Sequence, residues 1–321
     1  MRARIVKLPR LFTAAVFALI ASCVHSMRPE SDLHRVAMPV LEKPLVETYP
    51  PPEQPQDPVK AAVFERINRD RVAQGLTPVN WDAGASRVAD AFCAQQVREK
   101  TRGHYLMDGL PPYARTGFAG IFGLGSENSI SWITTSTWAD QNLTALGLSG
   151  HDRMMEERPP KDGHRRTILD PDATHVGVGY FVRGGRFQMS QEFLVRRLDR
   201  LALSVRSGLP LLAVEGRVLA PDRIQFVTIA REPKPAPLTQ AEANARTTYS
   251  FPEPDEAYVP EGSLGMSVVG TVTRDRLRMR KDREFFFVYR PADAGLYTFV
   301  FYVACEGRMP KQGGSATVLF E

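Results

Sequence analysis

The chain has 321 residues, 43% of them hydrophobic and 24% charged, which is long enough for two globular domains. Its formal net charge is +5, but the first ten residues hold four basic and no acidic residues, and 37 basic and 36 acidic residues remain without them. Because nucleic-acid binding needs a basic face, a near-neutral chain gives no reason to expect such a partner.

The N-terminus has the features of an export signal. The basic stretch MRARIVKLPR precedes an apolar run from Leu11 to Ser22, about 12 residues, which is too short to cross a bilayer. The run ends in Ile20-Ala21-Ser22-Cys23, which resembles the lipobox of bacterial lipoproteins. We therefore expect residues 1–22 to be a signal peptide and Cys23 to be lipidated. Ordinary cleavage with an incidental cysteine, and an uncleaved membrane anchor, are the alternatives.

Residues 23–58 are rich in proline and poor in periodic apolar residues. The tract from Tyr49 to Pro55 predicts extended, polyproline-like chain. We expect this segment to be a tether without a fixed fold, which would hold the next domain away from a membrane.

Residues 59–198 have the pattern of a domain with helices first and strands last. Val63, Phe64, Ile67 and Arg71 share one helical stripe, which Gly75 is placed to end. A second helix is expected to begin at a cap, Asp82, and to end near residue 102; its inner stripe is Ala85, Val88, Ala89, Phe92 and Val97.

The rest of this segment predicts a loop, two more helices and a hairpin. The prolines at 111 and 112 indicate a loop over residues 108–122, and a third helix is expected between residues 135 and 157. Asp162 is placed to cap a short helix that ends at Ile168. Strands are expected at 175–182 and 187–195, joined by Gly184-Gly185. Together these elements indicate an α+β class.

Residues 201–321 have an all-β pattern, long enough for an independent, immunoglobulin-like β-sandwich. The capping-box sequence from Thr239 to Glu242 predicts one short helix between the strands. The expected strands are 211–218, 223–230, 263–272, 285–289 and 297–305, the last with alternate apolar residues on one face.

Two cysteines remain after Cys23, and each lies in an apolar pattern. Buried Cys93 and Cys305 thiols are the favoured interpretation, because free cysteine behaves as a small apolar side chain. A disulfide between them is the alternative, since an exported protein can be oxidised.

Two histidines and two glutamates are the candidate site residues. His104 and His164 each follow a glycine at a helix boundary, and Glu127 and Glu157 lie between them in the sequence. Imidazoles with neighbouring carboxylates suit a divalent metal such as zinc, or general acid–base chemistry. The sequence contains no HExxH motif, so a zinc site on a single helix is excluded.

Several short motifs occur in order along this segment. They are Asn80-Trp81-Asp82, Gly103-His104-Tyr105, the stretch 108–115, Glu127-Asn128, the stretch 162–171 and the stretch 174–179. With these motifs, over about 140 residues, the chain resembles the CAP (SCP or PR-1-like) superfamily. The resemblance implies a three-layer α-β-α sandwich with a central antiparallel sheet.

The resemblance also implies a cleft with a tetrad at His104, Glu127, Glu157 and His164, in which the two histidines bind a divalent ion such as zinc. This chain departs from the superfamily's pattern at Ser126, where glycine is usual, and at Thr167, where asparagine is usual. Glu156, adjacent to Glu157, is the competing position for the second acid.

Other polar and aromatic residues are given structural roles. Asn128 is expected to be a hydrogen-bonding residue, and His151 and His175 to be peripheral or packed on strands. Trp81, Trp132 and Trp138 are expected in the core, and Arg165-Arg166 on the surface. No role in the site is expected for His25 and His34, which lie in the tether.

Two classes of function fit this pattern. One is a binding module of the cell envelope whose cleft takes a metal and a lipid, glycan or peptide ligand. The other is a metal-dependent hydrolase or peptidase, with Glu127 or Glu157 as the base. Binding is favoured because no nucleophile elbow such as GxSxG occurs, but fold alone does not decide catalysis. In both cases the protein is expected to be exported, either anchored through Cys23 or secreted.

Overall fold

The computed structural model describes residues 3–4, 45–48, 53–138, 142–205, 211–260, 270–305 and 307–321. Helices in these residues are α1 (Pro58–Ala73), α2 (Ala83–Glu99), α3 (Pro112–Phe118), α4 (Leu143–Met155), α5 (Gly163–Ile168) and α6 (Gln240–Ala245). Within these ranges, no helix combines the length and apolar character that a membrane crossing needs.

The strands in the described residues are β1 (Ala3–Arg4), β2 (Leu45–Thr48), β3 (Asn80–Trp81), β4 (Leu124–Ile133), β5 (His175–Arg183), β6 (Arg186–Val195), β7 (Leu198–Val205), β8 (Leu212–Val218), β9 (Arg223–Glu232), β10 (Glu256–Pro260), β11 (Thr271–Met279), β12 (Glu284–Tyr289), β13 (Gly295–Ala304) and β14 (Lys311–Phe320).

The first half of the described chain is a three-layer α-β-α sandwich, as expected. Its sheet has the order β3-β5-β6-β4, parallel between β3 and β5 and antiparallel elsewhere, so β4 is an edge strand. One face packs on α1, α4 and α5 through a core that includes Ile67, Met154 and Val178. The other face carries α2, which crosses β5. Helix α5 contacts β4 at the edge of this sheet, and α3 contacts the same strand.

Local sequence determines where the two long helices begin and end. Asp57 and Asp82 accept hydrogen bonds from first-turn backbone N–H groups of α1 and α2, which would otherwise have no partner. Gly75, with φ of +75°, follows the C-terminus of α1, as expected. Lys100 caps α2 in the left-handed region, so this helix ends slightly earlier than expected.

Two elements of this domain differ from the sequence prediction. The predicted loop over 108–122 contains α3, because Pro112 lies in the first turn, where its missing N–H costs no hydrogen bond. Strand β4 was not predicted at all, because Ser126, Glu127 and Asn128 interrupt its apolar alternation. Both elements matter for the site, since β4 carries Glu127.

The second half of the described chain is all β, as expected. Among the described residues, ten strands form one sheet in the order β1-β14-β13-β9-β10-β11-β12-β8-β7-β2, with β10 and β11 parallel. Its two halves face each other across an aromatic core, in which Phe287 and Phe299 lie 6.0 Å apart between ring centroids. An immunoglobulin-like sandwich has two separate sheets, whereas here β10 and β11 join the two halves.

The strands of this half differ in part from the sequence prediction. The strand predicted at 263–272 overlaps β11 at its last two residues, and its residues 263–269 lie outside the described residues, so that part stays a prediction. Strands β7, β10 and β14 were not predicted. The capping box is confirmed, because Thr239 and Glu242 exchange hydrogen bonds at the start of α6.

The tether and the cysteines also differ in part from expectation. Residues 45–48 form β2 and pair antiparallel with β7, so this part of segment 23–58 has a fixed structure. Cys93 and Cys305 are both free, but only Cys93 is buried; Cys305 is half-buried and donates to Asp222 Oδ1 at 2.8 Å. The segment limits 1–22, 23–58, 59–198 and 201–321 stay predictions, and Cys23 lies outside the described residues.

Candidate functional site

His104 lies at the end of a short turn that follows α2. Gly103 has a φ of +78°, and its carbonyl oxygen accepts a hydrogen bond from Gln96 Nε2 at 2.7 Å, which fixes the turn. The His104 side chain is 10% exposed, and its Nδ1 lies 2.8 Å from Glu127 Oε1. The turn thus holds the imidazole against β4.

Glu127 lies on the edge strand β4 with a fully buried side chain. Arg115 Nη2, from α3, donates to Glu127 Oε2 at 2.6 Å. Burial favours a higher pKa for Glu127, but the Arg115 charge and the His104 hydrogen bond outweigh burial, and the net shift lowers the pKa. Glu127 is therefore an ionised carboxylate whose two oxygens are already engaged.

A second buried carboxyl group lies beside Glu127 on the neighbouring strand. Glu192 is the cross-strand partner of Glu127, and Ser190 Oγ donates to it at 3.3 Å. Burial and then the charge of Glu127 raise the pKa of Glu192 well above its usual range. The two neighbouring carboxyl groups thus have pKa values shifted in opposite directions, lowered for Glu127 and raised for Glu192.

Glu157 and His164 form the second imidazole–carboxylate pair. His164, in the first turn of α5, places Nδ1 2.5 Å from Glu157 Oε1, and its backbone N–H donates to Glu157 Oε2 at 3.0 Å. The carboxylate thus orients both the ring and the helix start. The Glu156 side chain is exposed, and the structure brings Glu157 rather than Glu156 to His164.

The two pairs meet beside the β4 edge. The ring centroids of His104 and His164 are 6.4 Å apart, with an angle of 45° between the ring planes. Since each Nδ1 has a carboxylate partner, we assign the proton to Nδ1, and each Nε2 keeps its lone pair for a metal. A carboxylate on the far nitrogen is the usual arrangement around a metal-binding histidine.

This donor set fits a divalent metal such as zinc, with two protein ligands. Across the described ranges, no group of three or more His, Cys, Asp or Glu side chains is arranged to hold a metal ion. Zinc is almost always four-coordinate in structural sites, so a zinc ion held by two imidazoles needs further ligands from water or a bound molecule. Such a site is open to exchange rather than closed.

Three residues at this site have no role in the sequence prediction. Arg115 and Glu192 belong to the buried carboxylate cluster; Arg115 lies in the stretch 108–115 that carries the resemblance, and no sequence pattern indicated Glu192 in the half-polar strand β6. Tyr249 comes from the loop between β9 and β10. Its ring centroid is 4.8 Å from that of His104, and its hydroxyl accepts a hydrogen bond from Glu127 N–H at 2.5 Å.

Asn128 has the structural role that was expected. Its Nδ2 donates to the carbonyl oxygen of His164 at 3.1 Å and to Gln191 Oε1 at 3.3 Å. Gln191 Nε2 in turn lies 3.2 Å from His151 Nδ1, and His151 Nε2 lies 2.9 Å from Asp70 Oδ2. This buried chain of hydrogen bonds connects α5 to α1 through β4, β6 and α4.

The remaining histidines lie away from the cleft or outside the described residues. His151 is fully buried and contacts Gln191 of β6, which is the strand-packed one of its two expected positions, and burial lowers its pKa despite the Asp70 carboxylate. His175 is half-buried on β5, where burial and then the Arg196 charge lower its pKa to about 4. Of the other structural expectations, Trp81 is buried in the core and Arg166 is exposed, while His25 and His34 are not among the described residues.

Comparisons with known proteins agree with this fold. Residues 64–195 match the model of the CAP family, described as the cysteine-rich secretory protein family. The uncharacterized protein YkwD of Bacillus subtilis (strain 168) is 30% identical over 132 residues, which are 41% of this chain and 45% of that protein. The chain therefore spans less than half the length of this relative.

Two solved structures extend the comparison. An outer surface protein from Borrelia burgdorferi is 16% identical with a TM-score of 0.36, covering 44% of this chain and 96% of that one. NaASP2, solved with Zn²⁺, is 10% identical with a TM-score of 0.31, covering 44% of this chain and 83% of that one. Residues 64–195 of this chain thus match the CAP family model, and we call the part that contains them the CAP domain; a second, all-β part follows it.

Proposed function

We propose that this protein is an exported cell-envelope protein whose CAP cleft binds a divalent metal ion, such as zinc, through His104 and His164. One observation carries the proposal: each imidazole has its Nδ1 on a carboxylate, and the centroids of the two rings lie 6.4 Å apart. The open positions of the ion would be taken by water or by a ligand, for which a lipid, a glycan or a peptide is a candidate.

Binding is favoured over hydrolysis because both candidate bases are engaged. Glu127 accepts from Arg115 and His104, and Glu157 accepts from the ring and the backbone of His164. A general base must be free to take a proton from water at the metal. The alternative of a metal-dependent hydrolase or peptidase requires that purified, zinc-loaded protein cleave members of a peptide or ester library, and that His104→Ala abolish the cleavage.

The metal site is tested by zinc affinity in matched glutamate variants. Glu157→Gln is expected to weaken zinc binding about 10- to 100-fold, the usual effect of losing a carboxylate behind a metal-binding histidine. Glu156→Gln, one residue away and exposed, is the control and should leave the affinity unchanged. Chelator competition measures both, and His104→Ala and His164→Ala should lose the site. Equal affinities in all four variants would contradict the proposal.

Anchoring is tested separately from the cleft. We propose that Cys23 is lipidated, on the basis of the apolar run and small residues before it. Full-length protein should fractionate with membranes, and Cys23→Ala should move it to the soluble fraction because the lipid is the anchor. Cys305→Ala serves as the control cysteine. Unchanged membrane association of Cys23→Ala would rule out lipidation as the anchor.

A further inference from the structure

A long connection from the all-β part crosses the CAP cleft. Residues 233–255 join β9 to β10, and we call them the strap. The strap is held by its backbone, since Leu238 N–H donates to Met107 O at 2.7 Å. It is also held by Gln240, whose Nε2 donates to the carbonyl oxygens of Glu99 and Lys100 at 3.0 Å each. These contacts attach the strap to the end of α2, close to His104.

The CAP surface is shaped to receive the strap. Gly109 has a φ of +74°, and a Cβ at this position would lie 2.3 Å from Ala236 O. Gly103 has a φ of +78°, and a Cβ there would lie 3.2 Å from Arg246 O. Both positions therefore need glycine for conformation, and both allow the strap to approach more closely than a side chain would permit.

Tyr249 is fixed in the cleft by contacts on both sides of it in the strap. The Arg246 guanidinium lies over the Tyr105 ring at 5.4 Å, and the Phe251 ring stacks on Tyr113 at 4.8 Å between centroids. Tyr113 also donates from its hydroxyl to Glu232 Oε2 at 2.7 Å. The Tyr249 ring is thereby placed edge-on to His104.

The position of Tyr249 has two consequences for access. Its hydroxyl accepts a hydrogen bond from the backbone N–H of Glu127, on the side of β4 that pairs with no other strand among the described residues. An extended peptide therefore cannot pair with β4 at that residue. Its ring covers one side of His104, whose side chain is 10% exposed, whereas that of His164 is 32% exposed. The histidine pair is thus open mainly from the His164 side.

We propose that Tyr249 is a specificity-determining residue of the cleft, which leaves the His164 side as the route for ligands and rejects polypeptide laid along the β4 edge. The choice of ligand rests on the proposed metal site, whereas the shielding of His104 does not depend on it. The all-β part then has a definite role, because it supplies one wall of the CAP site.

Shielding is tested without metal, by carbethoxylation of histidines in the full chain with diethyl pyrocarbonate and mass spectrometry of each site. His164 should react faster than His104 in the wild type. Tyr249→Ala should raise the His104 rate severalfold, and Tyr249→Phe should keep it low because the ring remains. His151, which is fully buried, reports unfolding in every variant. An unchanged His104 rate in folded Tyr249→Ala overturns the proposal.

Gly109→Ala provides an independent variant, since it displaces the strap at Ala236 and leaves Tyr249 in the sequence. It should also raise the His104 rate while His151 stays protected. If Tyr249→Ala exposes His151, this second variant decides the outcome, and a His104 rate equal to that of the wild type counts against the proposal.

Ligand choice is tested on cobalt-loaded full chain, using the visible spectrum of the metal as the readout. Acetate and N-acetyl-tetraalanine each offer one carboxylate but differ in length. Wild type should bind acetate more tightly than the peptide, and Tyr249→Ala should gain peptide affinity severalfold with little change for acetate. Equal binding of both probes by wild type overturns the specificity proposal. A cobalt spectrum that is insensitive to His104→Ala and His164→Ala instead removes the metal site and leaves the shielding result to stand.

Discussion

Arg115 holds together the buried polar cluster beneath the cleft. Its guanidinium donates to Glu127 and to the carbonyl oxygens of His104 and Leu110, and lies 4.2 Å over the Phe92 ring. A buried carboxylate is stable only when it is paired and hydrogen-bonded. Arg115 therefore allows Glu127 to be ionised inside the domain and so to orient His104.

Glu192 is the member of this cluster that costs stability at neutral pH. Its folded-state pKa is raised by burial and by Glu127. At a pH between the pKa values that Glu192 has in the unfolded and folded states, the carboxyl group is ionised in the unfolded chain and protonated in the folded chain. Folding stability from this group is therefore fully present below the unfolded pKa and falls as pH rises toward the folded pKa.

Replacement of Glu192 with glutamine should remove this dependence. We expect Glu192→Gln to match the wild type in free energy of unfolding near pH 4 and to exceed it at pH 7 to 8, because glutamine keeps the shape and cannot ionise. Denaturant unfolding across that pH range measures the free energy of unfolding of each protein. The titration of the other groups is common to both proteins and cancels in the difference between them. Glu156→Gln is the exposed control. A difference between variant and wild type that is constant with pH would show that Glu192 does not titrate as described.

At the scale of elements, the packing of α2 on β5 depends on two glycines in the strand. A Cβ at Gly177 would lie 2.1 Å from Ser86 N, and one at Gly179 would lie 2.2 Å from Asp90 N. The helix backbone itself rests on the strand at these points, so no side chain can move aside to make room. This contact fixes the height of α2 above the sheet and hence the position of the turn that carries His104.

An added methyl group at Gly179 should therefore be severely destabilising. We expect Gly179→Ala to lower the free energy of unfolding by about 3 kcal/mol or more, at the upper end of overpacking effects. Gly163→Ala is the matched control: no atom lies within 4 Å of its added Cβ, and it should stay within about 0.5 kcal/mol of wild type. Urea unfolding compares the two. Similar stabilities would mean that α2 can shift freely on β5.

The elements that the sequence predicted correctly are those with an unbroken local pattern. Helix α1 has its stripe and stop signal within one stretch, and the β5–β6 hairpin has Gly184-Gly185 at its turn. Strand β4 was missed because its polar residues face the cleft and the buried hydrogen-bond network rather than an apolar core. Because these polar residues stand where an apolar side chain would be expected, β4 lacks the apolar alternation by which a strand is recognised in a sequence.

The candidate site was predictable in part for a related reason. Its histidines and glutamates lie in motifs whose local sequence is distinctive, and the structure brings all four together. Tyr249 is 122 residues from Glu127 in the sequence, and it contacts the site only because the strap folds back across the domain. No local pattern marks such a residue, since its role depends on how the two halves of the chain pack.

At the scale of the whole molecule, the CAP domain and the all-β part share a tightly packed boundary. Tyr113, Ala114 and Phe118 of α3 form one apolar cluster with Leu296 and Leu319 of the all-β part. The backbone N–H of Arg197 donates to Gly313 O at 2.7 Å, and Ser315 Oγ donates to Gly123 O at 3.2 Å. This boundary is packed like a domain core, so the two parts are expected to unfold together.

Gly117 is the position at which this coupling can be broken with one substitution. A Cβ there would lie 2.9 Å from the Cβ of Thr317 and 3.1 Å from its backbone N, so α3 rests directly on β14. Wild type should unfold in one calorimetric transition whose van't Hoff and calorimetric enthalpies agree. Gly117→Leu should force the parts away from each other and give two transitions, each belonging to one part.

The same substitution at an open site controls for the change in residue type. Gly163→Leu on α5 adds a side chain whose Cβ has no atom within 4 Å beyond the neighbouring residues, so it should leave a single transition close to that of the wild type. Because the strap depends on the same docking, Gly117→Leu should also raise the reactivity of His104 toward diethyl pyrocarbonate. A single transition at the wild-type Tm, with His104 still protected, would mean that the contact of α3 with β14 at Gly117 does not couple the cleft to the all-β part.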